Sequence, residues 1–495
     1  MSNTIFNLPR IYISAAHKSS GKTTLSIGLC AALSQRSLKV QAFKKGPDYI
    51  DPLWLAQASG RPCHNLDFNT MSHEEIVRDL VRYGQDADIN IIEGNLGLYD
   101  GVALDGSDSN AAVAKLTKSP VILVINSQGV TRGVAPLLMG YQHFDTDINI
   151  AGVIYNLSVG GRHEDKLRAV TEEYTDIPVL GVVKRNTLLA VDERHLGLKP
   201  SNEGKGAEEK IAQIASIVSE SIDIDHILEI SQSAPSINIE NKASKPLQIV
   251  LTEQSPKKPV KKIRLGICED SAFGFYYASD KLALETAGAE LVPFSAISDE
   301  KLPDDIDALF IGGGFPETHM QELGSNGSMR KSIYDAIESG LPSYAECGGL
   351  MYLSQTLRWN GQSEPMVGII PAVALMHDKP QGRGYVKLEE TSAMPWPILG
   401  DKTESKMISA HEFHYSSVDD ITAMESKGCF AYKVHRGYGI TGEYDGWVYK
   451  NLLANYSHMR DTDSCPWASR FIAFVKDCNI VTKTKIFKDI SQNID

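Results

Sequence analysis

Ala16-His17-Lys18-Ser19-Ser20-Gly21-Lys22-Thr23-Thr24 has the residue types of a phosphate-binding loop. It is the Walker A pattern G-x-x-x-x-G-K-[ST] with Ala16 in place of the first glycine. Backbone N–H groups of such a loop, and of the helix it opens, face phosphate oxygens, and Gly21 permits close approach. Lys22 would neutralise the β- and γ-phosphates, and the Thr23 hydroxyl would ligate Mg2+. Two further clusters lie downstream, Lys44-Lys45-Gly46-Pro47-Asp48-Tyr49-Ile50-Asp51-Pro52 and Glu93-Gly94-Asn95-Leu96-Gly97-Leu98-Tyr99-Asp100-Gly101. Mg2+ needs hard oxygen ligands, and Asp48 and Glu93 could supply them beside Thr23.

A second kind of chemistry is written around Cys347. Ser343-Tyr344-Ala345-Glu346-Cys347-Gly348-Gly349-Leu350-Met351 reads as a tight turn between an apolar approach and a helix. A thiol there is exposed, its thiolate stabilised by the helix N-terminus, with glycines relieving crowding as in a nucleophile elbow. Upstream, Ile311-Gly312-Gly313-Gly314-Phe315-Pro316-Glu317 offers the Gly313 and Gly314 amides as an oxyanion hole. A thiol nucleophile needs a base, and His458 is the candidate. Cys30, Cys268, Cys429 and Cys478 read as small buried hydrophobes. Cys63-His64 and Cys465 lack metal-ligand spacing. In His411-Glu412-Phe413-His414-Tyr415 the histidines are three apart, not the four of H-E-x-x-H, so a structural or substrate-facing role fits both.

The elements that must hold these residues alternate between strand and helix. Ile11–Ile13, Asn90–Ile92, Val121–Ile125 and Gly152–Ile154 are short apolar runs bounded by turn residues, as buried parallel strands are. Helical stretches are predicted over Thr24–Ala32, Glu74–Tyr83 and Glu164–Thr175. The alternation predicts an α/β fold with a parallel sheet, and the acidic clusters then fall at strand ends, where such sheets bind ligands. Residues 231–262 are rich in Ser, Pro, Asn and Lys and read as a linker, with Leu247–Leu251 able to add a strand. A second α/β unit begins at Ile263, with a helix over Lys281–Ala287, a strand over Ala308–Ile311 and a helix over Met329–Ser339. The predicted division is therefore 1–230, a linker 231–262, a second domain 263–480 and a polar tail 481–495. No internal repeat is visible.

Composition narrows the function classes. With 495 residues, 42% hydrophobic and 22% charged, the chain is an ordinary globular one rather than a disordered one. Its 62 acidic and 49 basic residues leave a net charge of −13, which argues against nucleic-acid or anionic-membrane partners. No apolar run approaches a membrane span, no signal peptide opens the chain, and seven scattered cysteines suit a reducing, cytoplasmic compartment. An anionic substrate would need local positive charge, and Lys22, Lys44, Lys45, Arg194 and Arg460 are where it would lie.

With both constellations in view, the chain resembles the cobyrinic acid a,c-diamide synthase family over nearly its whole length. The stretches that carry the resemblance are Gly21–Thr24, Lys45–Pro52, Glu93-Gly94, Gly97–Gly101, Glu193–Leu198, Gly312–Glu317, Ala345–Gly349 and His411–Tyr415. The resemblance implies an N-terminal P-loop domain similar to dethiobiotin synthetase and a C-terminal class I glutamine amidotransferase domain. It implies ATP, Mg2+, glutamine and an anionic tetrapyrrole carboxylate, and leaves a homodimer open. Cys347 and His458 would release ammonia from glutamine, with Gly313 and Gly314 as oxyanion hole. Ser20, Gly21, Lys22, Thr23, Thr24 and Lys45 would bind the nucleotide, and Thr23, Asp48 and Glu93 the metal. Asp51 and Asp100 match positions of substrate activation, and Arg194 and His195 would bind substrate.

One departure stands out. Where the family shows two histidines separated by one apolar residue, this chain reads His458-Met459-Arg460-Asp461, and no acidic residue follows at H-x-E spacing. A Cys–His dyad is therefore the expectation. This ending, with Trp467 and Arg470 after it, keeps a sirohaem- or sirohydrochlorin-amidating branch as the alternative substrate reading. Two other readings compete: a P-loop switch or partitioning ATPase, in many of which a second lysine stands at the place of His17, and a sensor with a degenerate glutaminase domain.

Overall fold

The structure is a computed structural model that describes residues 3–194, 197–203, 206–240, 262–398 and 407–492. It divides into two compact units, Met1–Gln254 and Ser255–Asp495. In the first, seven strands form one sheet in the order His64–Leu66, Val40–Lys45, Ile89–Glu93, Arg10–Ala15, Val121–Asn126, Ile150–Ser158, Val179–Lys184. All neighbours are parallel. The strands are buried along almost their whole length, which is why they read as continuous apolar runs. Arg10–Ala15 lies between Ile89–Glu93 and Val121–Asn126, so the loop after it opens at a topological switch point.

The predicted helices are present with shifted ends. Thr24–Ala32 lies within Lys22–Gln35, Glu74–Tyr83 within His73–Gly84, and Glu164–Thr175 corresponds to Arg162–Tyr174. Ser72 and Glu75 form a reciprocal capping box at the start of His73–Gly84, an arrangement that contributes about 1 kcal/mol. Residues 231–240, read from sequence as the start of the linker, are built into the first unit. Helix Ile224–Gln232 runs past Ile230, and Ile237–Glu240 pairs antiparallel with Asn3–Phe6. The strand expected over Leu247–Leu251 lies outside the described residues.

The second unit is built on nine strands in the order Ala289–Phe294, Ile263–Cys268, Ala308–Ile311, Ser343–Glu346, Leu452–Asn455, Tyr444–Tyr449, Cys429–Arg436, Gly382–Glu390, Ile408–His414. The first five are parallel and the rest antiparallel. The helices predicted over Lys281–Ala287 and Met329–Ser339 run over Ala278–Thr286 and Gly327–Glu338. The expected polar tail from 481 instead begins as helix, because Trp467–Gln492 is continuous. Trp467 donates its indole N–H to Asp280, and Arg470 makes a two-pronged pair with Glu390, so both residues anchor this helix. Cys30 and Cys268 are buried as expected, but Cys478 is only half-buried and Cys429 is exposed at the first position of its strand. No helix among the described residues is long and apolar enough to cross a membrane.

Candidate active sites

The loop after Arg10–Ala15 turns into helix Lys22–Gln35 through Gly21 at φ 86°. A side chain there would be strained, and its Cβ would overlap the Asn156 amide. Asn156 braces the loop by donating its Nδ2–H to the Ser20 carbonyl (3.0 Å), while the Ser20 hydroxyl donates to the His17 carbonyl (2.8 Å). Lys22, Thr23 and Thr24 occupy the first turn of the helix.

Thr23 is where the acidic clusters converge. Its hydroxyl lies 2.7 Å from Glu93 Oε1 and 3.2 Å from Asp51 Oδ2. Lys44 Nζ bridges the same two oxygens, at 2.8 Å from Glu93 and 2.5 Å from Asp51. Asp48 stands further out: Oδ1 accepts the Ile50 and Asp51 amides at the start of a helix, and Oδ2 lies 3.7 Å from Lys44. Asp51, assigned from sequence to substrate activation, is thus the carboxylate nearest Thr23 besides Glu93. Lys45 points elsewhere, with Nζ 3.4 Å from Asn95 Oδ1. Asp100 accepts the Gly97 amide at 3.0 Å and holds the turn after Glu93. Arg194 lies on a short hairpin strand paired with Gly197–Leu198, and His195 lies outside the described residues.

Charge in this pocket is unbalanced. Burial opposes the Lys44 ammonium, but Asp51, Glu93 and Asp48 outweigh it and hold Lys44 protonated well beyond an ordinary lysine. Burial also raises Glu93, against the pull of Lys44, and raises Asp48 to about 7 with help from Asp51. Lys22 is lowered to about 8 by burial and by the neighbouring Lys44. Three carboxylates face one firmly charged ammonium, and Glu93 Oε2 is buried with no hydrogen-bond partner. That donor set of hydroxyl and carboxylate oxygens fits a hard divalent cation. No group of three or more acidic, His or Cys side chains among the described residues forms a complete metal cage.

In the second unit Cys347 lies directly after strand Ser343–Glu346, at φ 46°, and caps helix Gly348–Leu353. A non-glycine residue at positive φ is strained, and the thiol expected from sequence to be exposed is instead buried, because the flanking strand and helix close over the turn. The Cys347 amide donates to the Asn455 carbonyl at 2.7 Å, which ties the elbow to the segment carrying His458. Gly313–Gly314 pairs with Phe273–Phe275, and a Cβ on Gly348 would come 2.9 Å from the Gly314 nitrogen. The Gly348 amide, in the helix's first turn, has no intrahelical acceptor. Gly348, which the sequence does not single out, packs closely against Gly314 of the expected oxyanion hole.

His458 is buried close enough to Cys347 for the sulfur to act on its charge. Burial would lower its pKa, yet the Cys347 sulfur, with Glu346, raises it to about 10. Its backbone N–H donates to the His411 carbonyl at 2.8 Å, and the two imidazoles stack with centroids 4.9 Å apart. His411 is kept neutral by burial, His458 and Arg460. His414 stacks on Tyr456 at 3.9 Å, and Glu412 accepts the Tyr438 and Gly439 amides, so His411–His414 braces the base's segment. No acidic residue follows His458 at H-x-E spacing, and Glu346 Oε2 lies 3.6 Å from His458 Nδ1. Arg460 is buried with its guanidinium over the Tyr277 ring, 5.1 Å from the centroid.

Comparison with known proteins agrees with a nucleotide-binding unit followed by a glutamine amidotransferase unit. Residues 12–198 match the CobQ/CobB/MinD/ParA nucleotide binding domain, and residues 264–463 match the CobB/CobQ-like glutamine amidotransferase domain. The chain is 42% identical over 473 residues to the cobyrinate a,c-diamide synthase of Magnetococcus marinus, covering 95% of this chain and 98% of that one. It is 40% identical over 477 residues to the protein of the same name from Methanosarcina acetivorans, covering 92% of each. A loop built for phosphate, a cysteine at a strained elbow and full-length similarity agree on one conclusion: the chain belongs to the cobyrinate a,c-diamide synthase family.

Proposed function

We propose that the protein is an ATP-dependent ligase that amidates carboxylates of cobyrinate with ammonia drawn from glutamine. The observation that carries this reading is the pairing, in one chain, of a Thr23–Asp51–Glu93 phosphate-loop cluster with a Cys347–His458 elbow. In the second unit the Cys347 thiolate attacks the glutamine side-chain amide, and the Gly313 and Gly314 amides, with that of Gly348 at the helix N-terminus, stabilise the oxyanion. His458 passes its proton to the departing nitrogen, so ammonia leaves and a glutamyl thioester remains for hydrolysis. In the first unit a substrate carboxylate attacks the γ-phosphorus of ATP, the bond to ADP breaks, and an acyl phosphate forms. Ammonia then displaces phosphate and loses a proton to leave the amide.

Activation is required because a free carboxylate would have to expel oxide or hydroxide. Mg2+, when bound, would neutralise phosphate charge at Thr23, Asp51 and Glu93, with Asp48 beside them. Lys22, whose pKa is lowered to about 8 by burial and Lys44, would neutralise the phosphates. Relatives spanning 92–98% of their own length are named for cobyrinate, which supports that substrate over sirohaem.

The test is incubation with ATP, Mg2+, glutamine and, in turn, cobyrinate, sirohydrochlorin and sirohaem, read by mass spectrometry. Amidation of cobyrinate is expected, and amidation of sirohaem alone would overturn the substrate assignment. Cys347→Ala should abolish glutamine-driven amidation yet retain amidation driven by ammonium salts. Loss of both in a folded variant would overturn the division of labour, and unchanged glutamine use would exclude Cys347 as nucleophile.

A further inference from the structure

We propose that Glu346, the residue immediately before the nucleophile, is the positioning carboxylate for His458. The inference rests on the glutaminase reading above and assigns the base a partner that no following residue provides. Glu346 ends strand Ser343–Glu346 and is buried, as is His458. Its two oxygens are used differently. Oε1 accepts the Tyr344 hydroxyl at 2.6 Å and the Met459 amide at 2.9 Å, while Oε2 faces His458 Nδ1 at 3.6 Å. Tyr344 lies two residues earlier on the same face of the strand, so strand geometry itself stacks hydroxyl on carboxylate. The Met459 amide is the next donor along the chain from His458, so one carboxylate fixes both the backbone and the ring of the base.

The consequence for chemistry is a fixed tautomer. A carboxylate at Nδ1 requires the proton there, which leaves Nε2 as the atom that exchanges a proton with the Cys347 sulfur. Buried against His411 on one face, the ring has little freedom to choose otherwise. The carboxylate also offsets the imidazolium charge formed when the thiol ionises. The separation of 3.6 Å is longer than a good hydrogen bond, and such contacts tighten when substrate occupies the site. Because Glu346 acts through His458 and touches no reacting atom, it is a positioning residue.

Glu346→Gln tests this in the full-length protein. Gln can still accept from Tyr344 and Met459, but presents N–H to Nδ1 and inverts the tautomer. Glutamine hydrolysis should lose at least about 100-fold in kcat with KM for glutamine changed by less than about threefold, in line with loss of a tautomer-setting carboxylate. Ammonium-driven amidation should be unchanged. Nitrogen NMR of ring-labelled protein should show the His458 proton move from Nδ1 to Nε2. A kcat within about threefold of the parent, or an unchanged tautomer, overturns the proposal. If the variant does not fold, Tyr344→Phe decides: a loss of about threefold or more in kcat at constant KM supports it, and an unchanged kcat overturns it. The parent protein separates the two readings. Absence of glutaminase activity there sinks the functional assignment, whereas an active parent with an equally active Glu346→Gln variant sinks only the role of Glu346.

Discussion

Lys44 shows how much a single side chain decides in the phosphate-loop site. Its ammonium is almost wholly enclosed, and it holds Asp51 and Glu93 together beneath Thr23. Sequence presented Lys44 and Lys45 as equivalents, and only Lys45 was assigned to the nucleotide. Adjacent strand residues point to opposite faces, so the two diverge: one meets Thr23's carboxylates, the other Asn95. Which face carries the helix cannot be read from the dipeptide. Removing one member of a buried charge cluster leaves the rest uncompensated, at about 3–5 kcal/mol. Lys44→Met should therefore destabilise the protein without nucleotide by about that amount, as measured by urea unfolding. Mg2+ should recover part of the loss by restoring positive charge. A loss below about 1 kcal/mol would mean that the carboxylates take up protons instead of relying on Lys44.

Elements position these residues through backbone approach as much as through side chains. Gly349 opens the elbow helix against strand Ala308–Ile311, and a Cβ there would overlap the Ile311 carbonyl, which is backbone and cannot rotate away. Gly349→Ala should destabilise the second unit by about 1–3 kcal/mol, an overpacking penalty, and cost glutaminase activity more than about tenfold. Gly140→Ala is the control, since that glycine has open space and lies inside helix Val134–Phe144. It should leave activity unchanged and stabilise slightly. Equal behaviour of the two variants would show that the elbow tolerates displacement. The strands and helices that frame these positions were legible because apolar runs and βαβ alternation are local signals, visible in Ile11–Ile13, Val121–Ile125 and Thr24–Ala32. The third partner of Cys347 and His458 was not. Its place depends on the parallel register of Ser343–Glu346 with Leu452–Asn455, which brings Glu346 beside a histidine more than a hundred positions away. No spacing rule encodes such a pairing, and the residue stood unread beside the nucleophile. The linker boundary failed for a related reason: Ile237–Glu240 is a strand only because Asn3–Phe6 supplies its partner.

At the scale of the molecule, the two chemistries rest on separate cores. One apolar cluster, including Tyr12, Phe43, Ile92, Leu123 and Tyr155, lies wholly within the first unit. Two others, around Leu309, Leu350 and Trp447 and around Phe310, Tyr344 and Trp467, lie wholly within the second. A ligand that binds only the native state of one core stabilises by RT ln(1 + [L]/Kd), about 2.7 kcal/mol at a hundredfold excess over Kd. Hydrogen exchange with and without ATP·Mg2+ should accordingly show added protection along Arg10–Ala15, Val40–Lys45 and Ile89–Glu93, which carry the loop and its carboxylates. Strands Ala308–Ile311 and Ser343–Glu346 should change far less, because their stability is set by a core that the nucleotide does not enter. Asp51→Asn should diminish the effect in the first unit by weakening the cation site. Equal protection of both sets of strands by ATP·Mg2+ would show instead that the cores unfold as one cooperative unit, and a nucleotide-site substitution would then be expected to depress glutamine hydrolysis along with phosphoryl transfer.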